Sequence, residues 1–212
     1  MDQHTDSFQT KTSRVYGEMK RAITSGAYQP GVHLIRRDLV KKFGVSLSIV
    51  NEALGRLSND GLVETKEMYG TRVINLDEST LENEFVLREA VERQVARLLA
   101  EKATNEVFQV LLDEARTIDR WMNDLNHNEG QGSLLHLEFH LKMARATGYS
   151  SLEETLKRTS MRALLTTHWL KNQNLPHPKD FHEQLVHAIM KRDPVLADQK
   201  MHEHLNFNKL RA

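Results

Sequence analysis

Between Leu39 and Leu57 two helical stripes are separated by a single glycine, and that junction limits the fold more than any other stretch of the chain. Leu39, Val40 and Phe43 form the first stripe, and Val50, Ala53, Leu54 and Leu57 the second. Gly44 supplies the left-handed residue that lets the chain bend between them, and Ser46 stands where it can cap the helix that follows. An earlier helix over Thr12 to Thr24 carries Val15, Met19, Ala22 and Ile23, and stops at Gly26 and the turn Tyr28-Gln29-Pro30-Gly31. Beyond Leu57, Gly61 ends the third helix and Leu62-Val63 opens an extended segment. Thr71 to Ile74 makes a second one after the turn at Gly70. Helix, helix, turn, helix and hairpin is the order of a winged helix-turn-helix.

Asn75 to Thr80 is short and polar, and offers Asp77, Ser79 and Thr80 as caps for the long helical pattern after it. Residues 1–75 therefore read as a winged helix-turn-helix domain, 76–80 as a linker, and 81–212 as a second, helical domain, the one taken up below for ligand and metal binding. Val91, Val95 and Leu98, then Val107, Leu111, Ile118 and Met122, then Leu137, Phe139, Met143 and Ala144 recur at three or four residues. Ser150 with Glu153 resembles a capping box, and Asp193-Pro194 marks the start of the last helix. The expected fold is mainly α, a winged helix-turn-helix followed by an all-helical bundle. Internal repeats and a glycine-rich phosphate loop are both lacking in the sequence.

At 212 residues, 39% hydrophobic and 27% charged, the chain has the composition of an ordinary globular protein. It has no apolar run approaching the roughly 18 residues of a membrane span, and its polar start lacks the apolar core of a secretory signal, so the cytoplasm is the expected compartment and no membrane partner is expected. With no cysteine, any transition-metal site must use histidine and carboxylate, and the chain has 11 histidines. The net charge of zero hides a mild split. Residues up to Asn75 carry 11 Lys+Arg against 8 Asp+Glu, and the remainder 18 against 21. The basic half is the one expected to meet a polyanion.

A helix that reads bases presents short or hydrogen-bonding side chains to the major groove, while flanking cations hold phosphates. The outward positions of the third helix are Leu47, Ser48, Asn51, Gly55 and Arg56, with Ser46 at its start. Arg36 and Arg37 open the second helix, and Gly70 with Arg72 is expected at the tip of the wing. Glu52 reads as a capping or intradomain salt-bridge residue. Gly26-x-Tyr28-x-Pro30-Gly31, Leu34 to Leu39, Phe43-Gly44-Val45-Ser46 and Val50-x-Glu52-Ala53-Leu54-x-x-Leu57 together resemble the GntR family of transcription regulators along the whole first domain. By that resemblance Arg37 keeps the family's first DNA-contacting arginine, whereas Leu47 and Asn51 replace the two arginines of the recognition helix. Asn pairs best with adenine and Leu touches only a thymine methyl, so the base preference is expected to differ from the family's.

Four of the histidines fall on inward faces. His136 and His140 lie one helical turn apart, His182 precedes Leu185 and Ile189, and His204 continues the stripe Ala197, Met201 and Leu205. Burying four imidazoles costs free energy unless a shared partner satisfies them, and a divalent metal is such a partner. His168, His187 and His202 follow no such pattern and read as surface residues. The same positions resemble the FadR subgroup, whose ligand-binding domain shows Asp-x-x-x-His on one helix and single histidines on two later ones. His182, Ala188-Ile189, Asp193, Ala197 and His204 stand at the subgroup's spacing, and Leu87-Arg88, Glu92 and Ala96 resemble the start of its first helix. His136 occupies the aspartate position, so an all-imidazole set would favour zinc or nickel over manganese or magnesium. Tyr149 replaces an asparagine at the pocket floor. The resemblance implies a metal at the base of a cavity, a small organic-acid effector completing its coordination, and Arg88 pairing with a carboxylate. An intrahelical pair of Arg88 with Glu92 is the alternative.

The expected function is a regulator, a repressor by preference, that binds double-stranded operator DNA as a homodimer and responds to an organic acid. A regulator for which the metal itself is the signal uses the same residues. A metallohydrolase fares worse. In His136-Leu137-Glu138-Phe139-His140 the glutamate falls about 200° around the helix from His136, not beside a metal-bound water.

Overall fold

The computed structural model describes residues 10–75, 77–124, 129–167 and 178–207, and divides into two compact units, Met1–Leu76 and Asp77–Ala212. In the first unit, α1 (Lys11–Thr24) is capped by Thr10, which accepts from Ser13 N–H, and buries Val15, Met19 and Ile23. Helix α2 (Arg36–Phe43) ends at Gly44, whose φ of 62° turns the chain into α3 (Leu47–Asn59). Helix α3 packs Val50, Ala53, Leu54 and Leu57 inward, and α1 and α2 both lie against it. Strands β1 (Val63–Lys66) and β2 (Gly70–Val73) pair antiparallel with Val63 opposite Val73, the two side chains entering the core.

The hairpin has a third neighbour that the sequence pattern did not suggest. Gly31 and Leu34 donate to Val73 and Thr71 carbonyls, Val73 N–H returns a bond to Val32, and His33 bridges Arg72.

The second unit is a bundle of α4 (Glu78–Lys102), α5 (Asn105–Met122), α6 (Glu129–Ala146), α7 (Ser150–Thr167), α8 (Phe181–Met190) and α9 (Pro194–Leu205). Helix α4 begins inside the stretch read as a linker, because Asp77 takes Thr80 N–H and lets the helix start at Glu78. Thr104 caps α5. Asp193 accepts from Val195 and Leu196 N–H ahead of Pro194 at the start of α9. The capping box expected at Ser150 does not form. Glu153 Oε1 instead accepts from Arg145 at 2.9 and 2.6 Å. Helix α4 lies along α7 and α9, and α5 along α6 and α8. No helix of the described residues is long and apolar enough to cross a membrane.

Candidate metal centre and nucleic-acid interface

Helix α6 sets the geometry of the bundle's site. His136 and His140 are four residues apart and therefore project from one face, and the bundle brings His182 of α8 and His204 of α9 against them. The Nε2 atoms of His136, His140 and His204 stand 3.1, 3.2 and 3.3 Å apart. The ring of His182 lies 5.0 Å from those of His136 and His204, and ligand nitrogens of these three residues fall within 4.8 Å of one another. His140, His182 and His204 are buried and His136 half-buried. The structure thus brings together all four rings singled out in the sequence. His187 is exposed, and His202 turns to Glu89, 2.6 Å away. His168 lies outside the described residues.

Two carboxylates decide the tautomers. Asp119 of α5 takes Nδ1 of His182 at 2.6 Å, and also accepts the backbone N–H groups of His182 and Glu183 at the start of α8. Glu92 of α4 takes Nδ1 of His140 on one oxygen and Arg88 Nε on the other. Burial would push Glu92 up, but the Arg88 guanidinium and the His140 ring outweigh it and hold the carboxyl at about 2. A neutral ring that donates Nδ1–H to its carboxylate leaves Nε2 with a lone pair for a metal ion. His182 Nε2 is buried with no hydrogen-bond partner. His140 Nε2 faces the Nε2 atoms of His136 and His204 at 3.1 and 3.2 Å. Burial, then the neighbouring rings, keep the pKa of His136 well below the ordinary histidine value, and burial lowers His182 against the opposing pull of Asp119. Neutral imidazoles are the metal-binding form. In a shell of about 2.1 Å bonds, adjacent nitrogens stand roughly 3.0 Å apart at octahedral and roughly 3.4 Å at tetrahedral angles, which brackets the observed separations. The residues therefore fit a divalent metal ion.

In the sequence Glu92 stands out through the first-helix resemblance and as a partner for Arg88, but its contact with His140 and the role of Asp119 are not legible there. Asp119 sits on the buried stripe of α5 with Phe108, Leu111, Leu112 and Ala115, and a carboxylate on such a stripe is the signal that was available. Arg88 is engaged by Glu92, and Glu138 is exposed near Arg145, away from the rings.

In the first unit, Leu47, Ser48, Asn51, Gly55 and Arg56 are all exposed on α3. Ser46 occupies the N-cap position, yet its hydroxyl lies 2.9 Å from that of Ser48 and makes no capping bond. Arg37 is exposed, with Asp38 3.9 Å away. Arg36 donates Nε to Asn51 Oδ1 at 2.8 Å. Arg56 differs from the outward-reaching reading. It stacks over the Tyr16 ring at 4.1 Å and donates to Ser13, which ties it to α1. Arg72 and Gly70 do not form the wing tip. Arg72 pairs across the strands with Glu64, Gly70 starts β2, and the tip is Met68 and Tyr69, 99% and 76% exposed. Glu52 accepts from Thr12 on α1, an intradomain bond.

Both domains of the chain match families of known proteins. Residues 11–73 match the family model for bacterial regulatory proteins of the gntR family, and residues 84–207 match the FCD domain. The chain is 26% identical over 189 residues to the Nta operon transcriptional regulator of Aminobacter aminovorans, covering 86% of each. It is 24% identical over 199 residues to the transcriptional repressor GlaR of Escherichia coli, covering 90% of each. In fold it is similar to E. coli McbR/YncC, with a TM-score of 0.74 at 19% identity, over 95% of this chain and 96% of that one.

Proposed function

The chain belongs to the GntR family of bacterial regulatory proteins and carries an FCD domain, and from that premise we propose how this transcription regulator, which is not an enzyme, receives and transmits its signal. It represses by seating α3 of two copies on the half-sites of a pseudo-palindromic operator in the cytoplasm, and a small organic acid bound in the helical unit alters that seating. His136, His140, His182 and His204 would hold a divalent ion. The all-nitrogen donor set favours zinc or nickel. When bound, the ion supplies a fixed positive charge that attracts a carboxylate. The residues of the chain do the rest. Asp119 and Glu92 keep the His182 and His140 rings in the lone-pair-inward tautomer. Arg88, on the far side of Glu92, offers its remaining donors to an anion. The name of GlaR, a repressor, supports the direction of control.

The observation that carries this reading is the convergence of four imidazole rings, three of their Nε2 atoms at 3.1–3.3 Å from one another, with carboxylates behind two of the rings. Its test is operator binding by chelator-treated protein, reloaded with zinc or nickel, with and without a panel of mono-, di- and tricarboxylic acids. Release from DNA only when both metal and an acid are present supports the proposal. A response to metal alone supports instead a regulator for which the ion is the signal, a reading favoured by the engagement of Arg88 with Glu92. Binding indifferent to metal and acids alike would end both.

A further inference from the structure

The exposed surface of the first turns of α3, Leu47, Ser48 and Asn51, contains no cation of its own, and Arg56 farther along is held by Tyr16 and Ser13. A guanidinium nevertheless stands there, delivered from the start of α2. Arg36 Nε donates to Asn51 Oδ1 at 2.8 Å across 15 residues of sequence. No carboxylate pairs with Arg36 among the described residues, whereas its neighbour Arg37 lies beside Asp38. Chemistry fixes the orientation of the carboxamide. A guanidinium N–H meets only an acceptor, so the oxygen faces Arg36 and the Nδ2 edge is left for other partners.

Resting on the DNA-binding reading above, we infer that Arg36 and Asn51 act as one composite base reader whose preference is guanine, not the adenine expected of an asparagine alone. A free asparagine reads adenine because it presents one donor and one acceptor to N6 and N7. Here one of the two lone pairs of that acceptor is taken by a guanidinium, which adds its own donors to the same edge. What remains, Asn51 Nδ2 with the terminal nitrogens of Arg36, is a row of donors. Guanine presents two acceptors, N7 and O6, on its major-groove edge, and adenine places an amino donor where one of them would be. The pair therefore restores from α2 a cation at the base-reading face of α3. Leu47, 51% exposed beside it, adds only an apolar surface suited to a thymine methyl.

The experiment is selection of bound duplexes from random DNA by the full chain and by Arg36→Ala, Asn51→Ala and Arg36→Lys, followed by affinity measurements on paired duplexes that differ at one position. The unaltered chain is expected to enrich guanine at one position per half-site, with about tenfold preference over adenine. Arg36→Ala should move that position to adenine, because Asn51 regains both edges, and Asn51→Ala should weaken the preference without creating a new one. Arg36→Lys keeps the positive charge but cannot make a planar forked contact, so it should retain affinity and lose most of the preference. It also stands in if the alanine variant does not fold. If Arg36→Ala binds every sequence more weakly with its base preference unchanged, Arg36 serves phosphates only and the inference is overturned. If the unaltered chain enriches no sequence, DNA recognition itself fails and the composite reader with it.

Discussion

Asp119 does three things at once: it orients His182, accepts two backbone N–H groups, and places a carboxylate behind a ring of the candidate metal site. Asp119→Asn keeps the shape and removes the charge. It should lower zinc affinity by about 10- to 100-fold, the usual cost of losing such an outer partner, measured by competition with a chromophoric chelator. An unchanged affinity would show that the ring needs no carboxylate behind it. His136→Asp tests the donor set from the other side. A carboxylate oxygen among the nitrogens should narrow the gap between zinc and manganese affinities, because harder ions gain most from an anionic oxygen donor. If the ratio of the two affinities does not move, His136 is not a ligand.

At the scale of elements, the short helices of the first unit depend on backbone geometry at their junction. Gly44 adopts φ 62°, and a Cβ built there would meet nothing within 4 Å. Gly44→Ala therefore isolates conformational strain from steric clash, and should cost about 1–2 kcal/mol in chemical denaturation. A loss of several kcal/mol would mean that the turn tolerates no side chain for some other reason. Helix α9 offers a comparable test at its start, since Asp193 satisfies two backbone N–H groups there. Asp193→Ala should destabilise the protein by about 1 kcal/mol. Because His204 rides on the same helix, metal affinity is the second quantity to measure in that variant.

At the scale of the whole molecule, each unit has its own buried core, and the candidate metal site belongs entirely to the second. The chain has 2 tryptophans, Trp121 and Trp169, and Trp121 lies on α5 of that unit, so tryptophan fluorescence reports on the half that holds the candidate metal site. Zinc held at about 100 times its dissociation constant should stabilise that half by roughly 2.7 kcal/mol and raise its melting temperature. The same titration on a His182→Ala, His204→Ala double variant should give a flat response. A shift that survives the loss of both ligands would place the binding elsewhere.

Local patterns were enough to specify the order of elements, the glycine junction at Gly44, the cap at Asp193 and the inward faces of all four histidines. Each depends on side chains within a turn or two of one another, where a 3.6-residue period or a φ preference acts alone. Tertiary packing decided the rest. Whether Asp119 would meet His182, 63 residues away, depends on how α5 and α8 are rotated against each other, and a period defines a face without defining its neighbour. The same holds for Arg36 on Asn51 and Arg56 on Tyr16, where long side chains with several rotamers chose partners on adjacent helices. The imidazoles were legible because they had to be buried. The carboxylates that orient them and the arginine that alters base preference were not, because their roles are set by distances between elements, which no local pattern encodes.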